Sequence, residues 1–253
     1  MSDNLQPRGS DDTTLVQPMF APIKRRSFFM YAGATAGATA LVLAGCSKDS
    51  TAPMVNLPAG NSTTASGSIS LGSGDVGVLN YAYALEQLEA DFYSKVVAQA
   101  QGVLGATEYL YFKQVATHEA IHRDFFKAAL TRDAGSQVLR GLTPKYPAST
   151  FTDRTTLLAT AQAFEDLGVS AYNGAGKLLR TPGYLLLAGK IVSVEARHAA
   201  YIRDLIKPGS FAADDQVDAI SGLDMKRMPT EVLTIAQAFI TEKLDGSAVG
   251  VNA

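Results

Sequence analysis

The sequence predicts an all-α fold: four amphipathic helices in a bundle, one long crossover between the second and third, and a short C-terminal helix. Three observations carry this. From Val76 onward apolar residues recur every three to four positions, and no strand-like alternation persists. Two of the breaks between the periodic runs are short, and the one between them is long and holds Gly and Pro. The first two runs also match the last two, as an internal duplication does.

Helix one is expected from about Val76 to Gln101, where Gly102 to Ala106 (GVLGA) stops it. Thr107 is the expected N-cap of helix two, which runs to about Arg132. Residues 133–151, with Gly135, Gly141, Pro144 and Pro147, form the crossover. Asp153 is the expected N-cap of helix three, which continues to about Leu179. Arg180 to Tyr184 (RTPGY) turns the chain. Pro182 suits a first helical turn, where its missing N–H would be unpaired anyway. Helix four ends near Ile206, before Lys207-Pro208-Gly209. A fifth helix is expected from Pro229 to about Lys243, with a loose end beyond it.

The residues before the bundle read as an address and a spacer. Arg25 and Arg26 precede an uncharged run from Ser27 to Gly45 that ends in Leu43-Ala44-Gly45-Cys46. Gly, Ala and Thr fill the middle of that run, which suits a signal peptide better than a membrane-spanning helix. The order R-R-x-F-F resembles a twin-arginine export signal, a route that carries folded proteins. L-A-G-C resembles a lipobox, which makes Cys46 a lipidation site. Residues 46–75 are rich in Ser, Gly and Thr and read as a flexible tether. The expected organisation is a signal peptide over 1–45, a tether over 46–75, the bundle over 76–207 and a C-terminal extension over 208–253. The expected location is the cell envelope, on the periplasmic side of the inner or outer membrane.

Composition narrows the function. Of 253 residues, 47% are hydrophobic, enough for a sizeable core. The net charge is −2 and no basic block lies outside the N-terminus, which argues against nucleic acid as a partner. The single Cys excludes a disulfide framework and a thiolate zinc site.

The stretch His118 to Phe126 (HEAIHRDFF) contains two motifs at once. H-E-x-x-H is the helix signature of zinc proteases, with His118 and His122 as ligands and Glu119 as base. E-x-x-H, Glu119 to His122, is half of the ligand set of a two-metal carboxylate bundle. The duplication arbitrates. Leu85 to Tyr93 (LEQLEADFY) aligns with Phe164 to Tyr172 (FEDLGVSAY), which pairs Glu86 with Glu165 and Tyr93 with Tyr172. His118 to Phe125 (HEAIHRDF) aligns with Val194 to Tyr201 (VEARHAAY), which pairs Glu119 with Glu195 and His122 with His198. The counterpart of His118 is Val194. A two-metal bundle needs two single Glu and two E-x-x-H, and the repeat keeps those residues. The candidate ligands are therefore Glu86, Glu119, His122, Glu165, Glu195 and His198; Glu86 and Glu165 on neighbouring helices can bridge, and Glu119 and Glu195 are the expected bridges. Four inward carboxylates balance two divalent cations. Carboxylate and imidazole donors without thiolate suit iron or manganese, and zinc binds the same set. Glu89 lies one turn from Glu86, and its counterpart is Gly168. Glu89, Tyr93 and Tyr172 are candidates for the surrounding shell that orients the ligands.

These stretches, with Leu79 to Tyr93, Ala161 to Ala175 and Ser193 to Leu205, resemble the ferritin-like superfamily and its secreted, desiccation-related branch, over about Gly74 to Lys207. The resemblance implies a ferritin-like four-helix bundle with iron as the metal. It also implies oxidation of Fe(II) by O2 or H2O2, a ferroxidase or peroxide-consuming activity that guards the envelope against iron and oxidants. Two other readings stand beside it: a structural or desiccation-stress protein with a structural metal site, and the zinc protease. A homo-oligomer is compatible with all three.

Overall fold

The computed structural model describes residues 67–251, which form the expected all-α bundle. The expected signal peptide, Cys46 and the expected tether up to residue 66 lie outside the described residues. Helix α1 spans Gly74–Gln99, α2 Ala106–Ala134, α3 Arg154–Ala175, α4 Pro182–Ile206 and α5 Pro229–Ala236. Short 3-10 turns follow α2, α3 and α5. Residues 138–153 carry the long crossover from α2 and its 3-10 turn to α3. No helix among the described residues is long and apolar enough to cross a membrane.

The caps explain most of the boundaries. Asp153 Oδ2 accepts the backbone N–H of Thr156 at 2.7 Å, as the sequence predicts. Pro182 opens α4. Thr107 does not cap α2. The helix starts one residue earlier, at Ala106, because the Glu108 carboxylate reaches back and accepts the N–H of Gly105 at 2.9 Å. That is the carboxylate half of a capping box, and it leaves Thr107 inside the first turn.

Two further expectations are corrected. Residues 67–75 are not the end of a tether. Ile69 and Leu71 alternate along an extended segment and both are buried. Strand β1 (Ile69–Ser70) pairs in parallel with β2 (Leu244–Asp245), and Leu71 N–H donates to the Asp245 carbonyl at 3.0 Å. The fifth helix is also shorter than predicted, ending at Ala236. The chain then extends so that residues 240–245 can pair with the crossover and with β1. The buried Asn80 of α1 ties these parts together: it donates to the carbonyls of Leu71 and Gln137 and accepts the N–H of Leu139.

The bundle pairs α1 with α2 and α3 with α4, and α1 meets α3 at the centre. Helices α1 and α3 bury most of their residues, whereas α2 and α4 bury mainly the stripes that face them. The apolar core is split in two. One cluster includes Leu79, Leu85, Phe126, Leu130, Leu167 and Val232. The other includes Phe92, Val96, Phe112, Leu157, Phe164 and Ile202. Each such side chain contributes roughly 1.5–3 kcal/mol when fully buried. Between the clusters lies a polar waist.

Candidate metal centre

Six side chains meet in that waist, one or two from each of the four long helices. Glu86 comes from α1 and Glu165 from α3. Glu119 and His122 come from one turn of α2, and Glu195 and His198 from one turn of α4. All four carboxylates have no solvent exposure, and both imidazoles are buried. On a helix, residues three apart share a face, so each Glu–His pair can serve one point in space.

The atoms form two overlapping clusters. Glu86, Glu119, His122 and Glu195 offer one, and Glu119, Glu165, Glu195 and His198 the other, with donor atoms within 4.8 Å of one another in each. His122 Nδ1 stands 2.8 Å from Glu195 Oε1, 3.3 Å from Glu119 Oε2 and 3.6 Å from Glu86 Oε2. His198 Nδ1 stands 3.0 Å from Glu119 Oε1 and 3.4 Å from Glu165 Oε2. Glu119 and Glu195 thus belong to both clusters. Glu86 and Glu165 belong to one each.

The two tyrosines cross between the halves. Tyr93 OH donates to Glu165 Oε1 at 2.5 Å, and Tyr172 OH donates to Glu86 Oε1. Each hairpin's Tyr therefore holds the terminal Glu of the other hairpin and leaves that carboxylate's second oxygen free to face the centre. The buried oxygens without a hydrogen-bond partner include Glu86 Oε2, Glu119 Oε1, Glu165 Oε2 and both of Glu195. His198 Nδ1 joins them, because its approach to Glu119 is close in distance but not aligned as a hydrogen bond. Buried polar atoms are normally paired. These atoms converge instead on two common points, which is the arrangement cations require. The residues fit a pair of metal ions by number, chemistry and charge.

Without ions, protons carry the balance. Burial pushes Glu195 up to about 8, with the Glu119 charge adding to it. Burial and then Glu195 and Glu119 raise Glu86 well above the usual carboxylate range, and burial raises Glu165 despite His198 beside it. Burial alone would raise Glu119 too, but the two imidazoles against its oxygens pull it down to about 2. Burial would lower His122 and His198, yet the surrounding carboxylates hold them at about 11 and about 10. Without ions, burial thus favours protons on Glu86, Glu165 and Glu195, and the surrounding carboxylates favour protons on His122 and His198.

Glu89 is buried beside the centre but belongs to neither cluster. Its carboxylate occupies the space left by Gly168, where a Cβ would stand 3.0 Å from Glu89 Oε1. Burial, then the charges of Glu195 and Glu119, raises it well above the usual range. His118 is also in neither cluster; its Nδ1 meets Nε2 of His198. A zinc-protease site would need His118 and His122 on one ion, and the structure does not bring them together so. The sequence reading missed the brace formed by Arg203 on α4. Its buried guanidinium clamps Asp166, next to Glu165, and Asp215 of the following loop. An Arg in a helix-face charge pattern carries no local sign that it turns inward.

Fold and site together define a class: a four-helix bundle whose two clusters of buried Glu and His are positioned to chelate a pair of metal ions. The family described as the ferritin-like domain matches residues 74–208, more than half of the chain, and this chain belongs to that family. No curated protein matches it.

Proposed function

We propose that this is an exported, lipid-anchored di-iron protein that oxidises Fe(II) with O2 or H2O2 and so protects the cell envelope. The observation that supports it most is the convergence of buried Glu86, Glu119, His122, Glu165, Glu195 and His198 in two overlapping clusters, with several carboxylate oxygens that lack an aligned hydrogen bond. An iron pair in that place would supply two one-electron changes and positive charge against four carboxylates. The chain's part is to hold it. Glu119 and Glu195 would bridge, Glu86 with His122 and Glu165 with His198 would complete the two ends, and Tyr93 and Tyr172 would keep the terminal carboxylates turned inward. Arg25-Arg26 and Cys46 support export and anchoring by their resemblance to the two signals.

The test is to add Fe(II) to metal-free protein in air and follow near-ultraviolet absorbance. Wild type should oxidise it, and Glu119→Ala combined with Glu195→Ala should not. Equal rates for the two proteins would sink the site assignment. Bound ions that raise the melting temperature without any oxidase or peroxidase activity would favour a structural centre instead.

A further inference from the structure

The two ends of the centre are not equivalent. His198 turns Nδ1 toward Glu119 and Glu165 and Nε2 outward, where it meets His118 Nδ1 at 2.9 Å. The two rings lie within 8° of parallel, with centroids 5.2 Å apart. His122 turns Nδ1 toward Glu195, Glu119 and Glu86, and no protein group among the described residues hydrogen-bonds its Nε2. The repeat explains the difference. The counterpart of His118 is Val194, whose side chain has neither donor nor acceptor.

An imidazole binds a cation through a nitrogen that carries no proton, so its proton must sit on the other nitrogen. What that second nitrogen meets decides the tautomer and the angle of the ring. For His198 the partner is present: a neutral His118 can accept the Nε2–H at its own Nδ1 and place its remaining N–H in solvent, where this exposed residue ends. For His122 no protein group among the described residues fills that role.

We propose that His118 is a positioning residue: it holds His198 as the tautomer with Nδ1 free, and so makes the end formed by Glu119, Glu165, Glu195 and His198 the tighter of the two. This rests on the two-ion reading above. It also gives the His of the H-E-x-x-H sequence a role that no repeat predicts, behind a ligand instead of as one.

Co(II) titrated into metal-free protein, followed by visible absorption and by competition with a chelator, tests this. Wild type should fill in two steps of unequal affinity. His118→Ala should weaken the tighter step by about 10–100-fold and leave the weaker one in place. His118→Gln, whose amide oxygen can accept the same N–H, should recover most of the loss. In the Co(II) protein, one of two exchangeable imidazole N–H signals should exchange faster in His118→Ala, a change a purely structural role would not produce. Two steps unchanged by His118→Ala, or both weakened equally, overturn the inference while the centre stands. Fewer than two Co(II) ions bound by wild type overturn the two-ion reading itself, and the inference with it.

Discussion

The first hairpin, α1 and α2, and the second, α3 and α4, carry the same ligands in different settings. At the two clusters the halves agree: one Glu, one E-x-x-H and one Tyr reaching across. Beyond those side chains they have diverged. Glu89 in the first half fills the gap left by Gly168 in the second. Gly174 in the second half stands where the first has Lys95. That bare position lets the chain of the C-terminal extension pass, with Arg227 N–H donating to the Ser170 carbonyl at 2.9 Å. Lys95 instead points outward, pairing with Asp91 at 2.5 Å and lying over the Tyr146 ring. The halves are alike in the six clustered side chains and the two tyrosines, and differ even at positions that touch them, Glu89 against Gly168 and His118 against Val194.

The comparison breaks hardest at the shared carboxylates. Glu195→Ala should abolish tight binding of both ions, whereas Glu86→Ala should spare one, because Glu195 lies in both clusters and Glu86 in one. Metal stoichiometry by elemental analysis after gel filtration decides this. A full-affinity ion in Glu195→Ala would show that the clusters are independent.

A smaller effect should follow from pH. In the metal-free protein His122, His198 and Glu195 hold protons up to about 11, about 10 and about 8. Ions must displace those protons, so binding releases acid and affinity rises with pH. The expected loss is at least about tenfold per ion for each unit that pH falls between about 8 and about 6. Titration in weakly buffered solution, with the released protons counted, checks the sign. Proton uptake on binding would contradict it.

The smallest contrast lies outside the centre. A Cβ on Gly174 would sit 1.7 Å from the Arg227 carbonyl oxygen, a backbone atom that cannot swing aside. Gly174→Ala should cost about 1–3 kcal/mol in urea unfolding through overpacking. Lys95→Ala, at the matching place in the other hairpin, should cost under about 1 kcal/mol, since its ion pair is partly exposed. Equal costs would mean that the extension does not clasp the second hairpin.

Much of this architecture is written locally. Helical periodicity, Asp153, Pro182 and the Gly and Pro of the crossover act within a few residues, and the structure follows them. The failures have two causes. Thr107 lost its capping role to a local rival, the Glu108 carboxylate reaching back to Gly105. Ile69 and Leu71 found a partner strand far along the chain, and α5 stopped early so that the same strand could form. That pairing is a contact that the local pattern does not announce.

By itself, the sequence determined the bundle, its single crossover and the six acidic and imidazole side chains, because turn spacing and an internal repeat are properties of the chain read in order. Tertiary structure alone decided which atoms meet. It crossed Tyr93 and Tyr172 to opposite halves, shared Glu119 and Glu195 between both clusters and set His118 behind only one imidazole. Those relations arise where four helices converge. A carboxylate oxygen there is left without a partner, or given one, by neighbours from other helices.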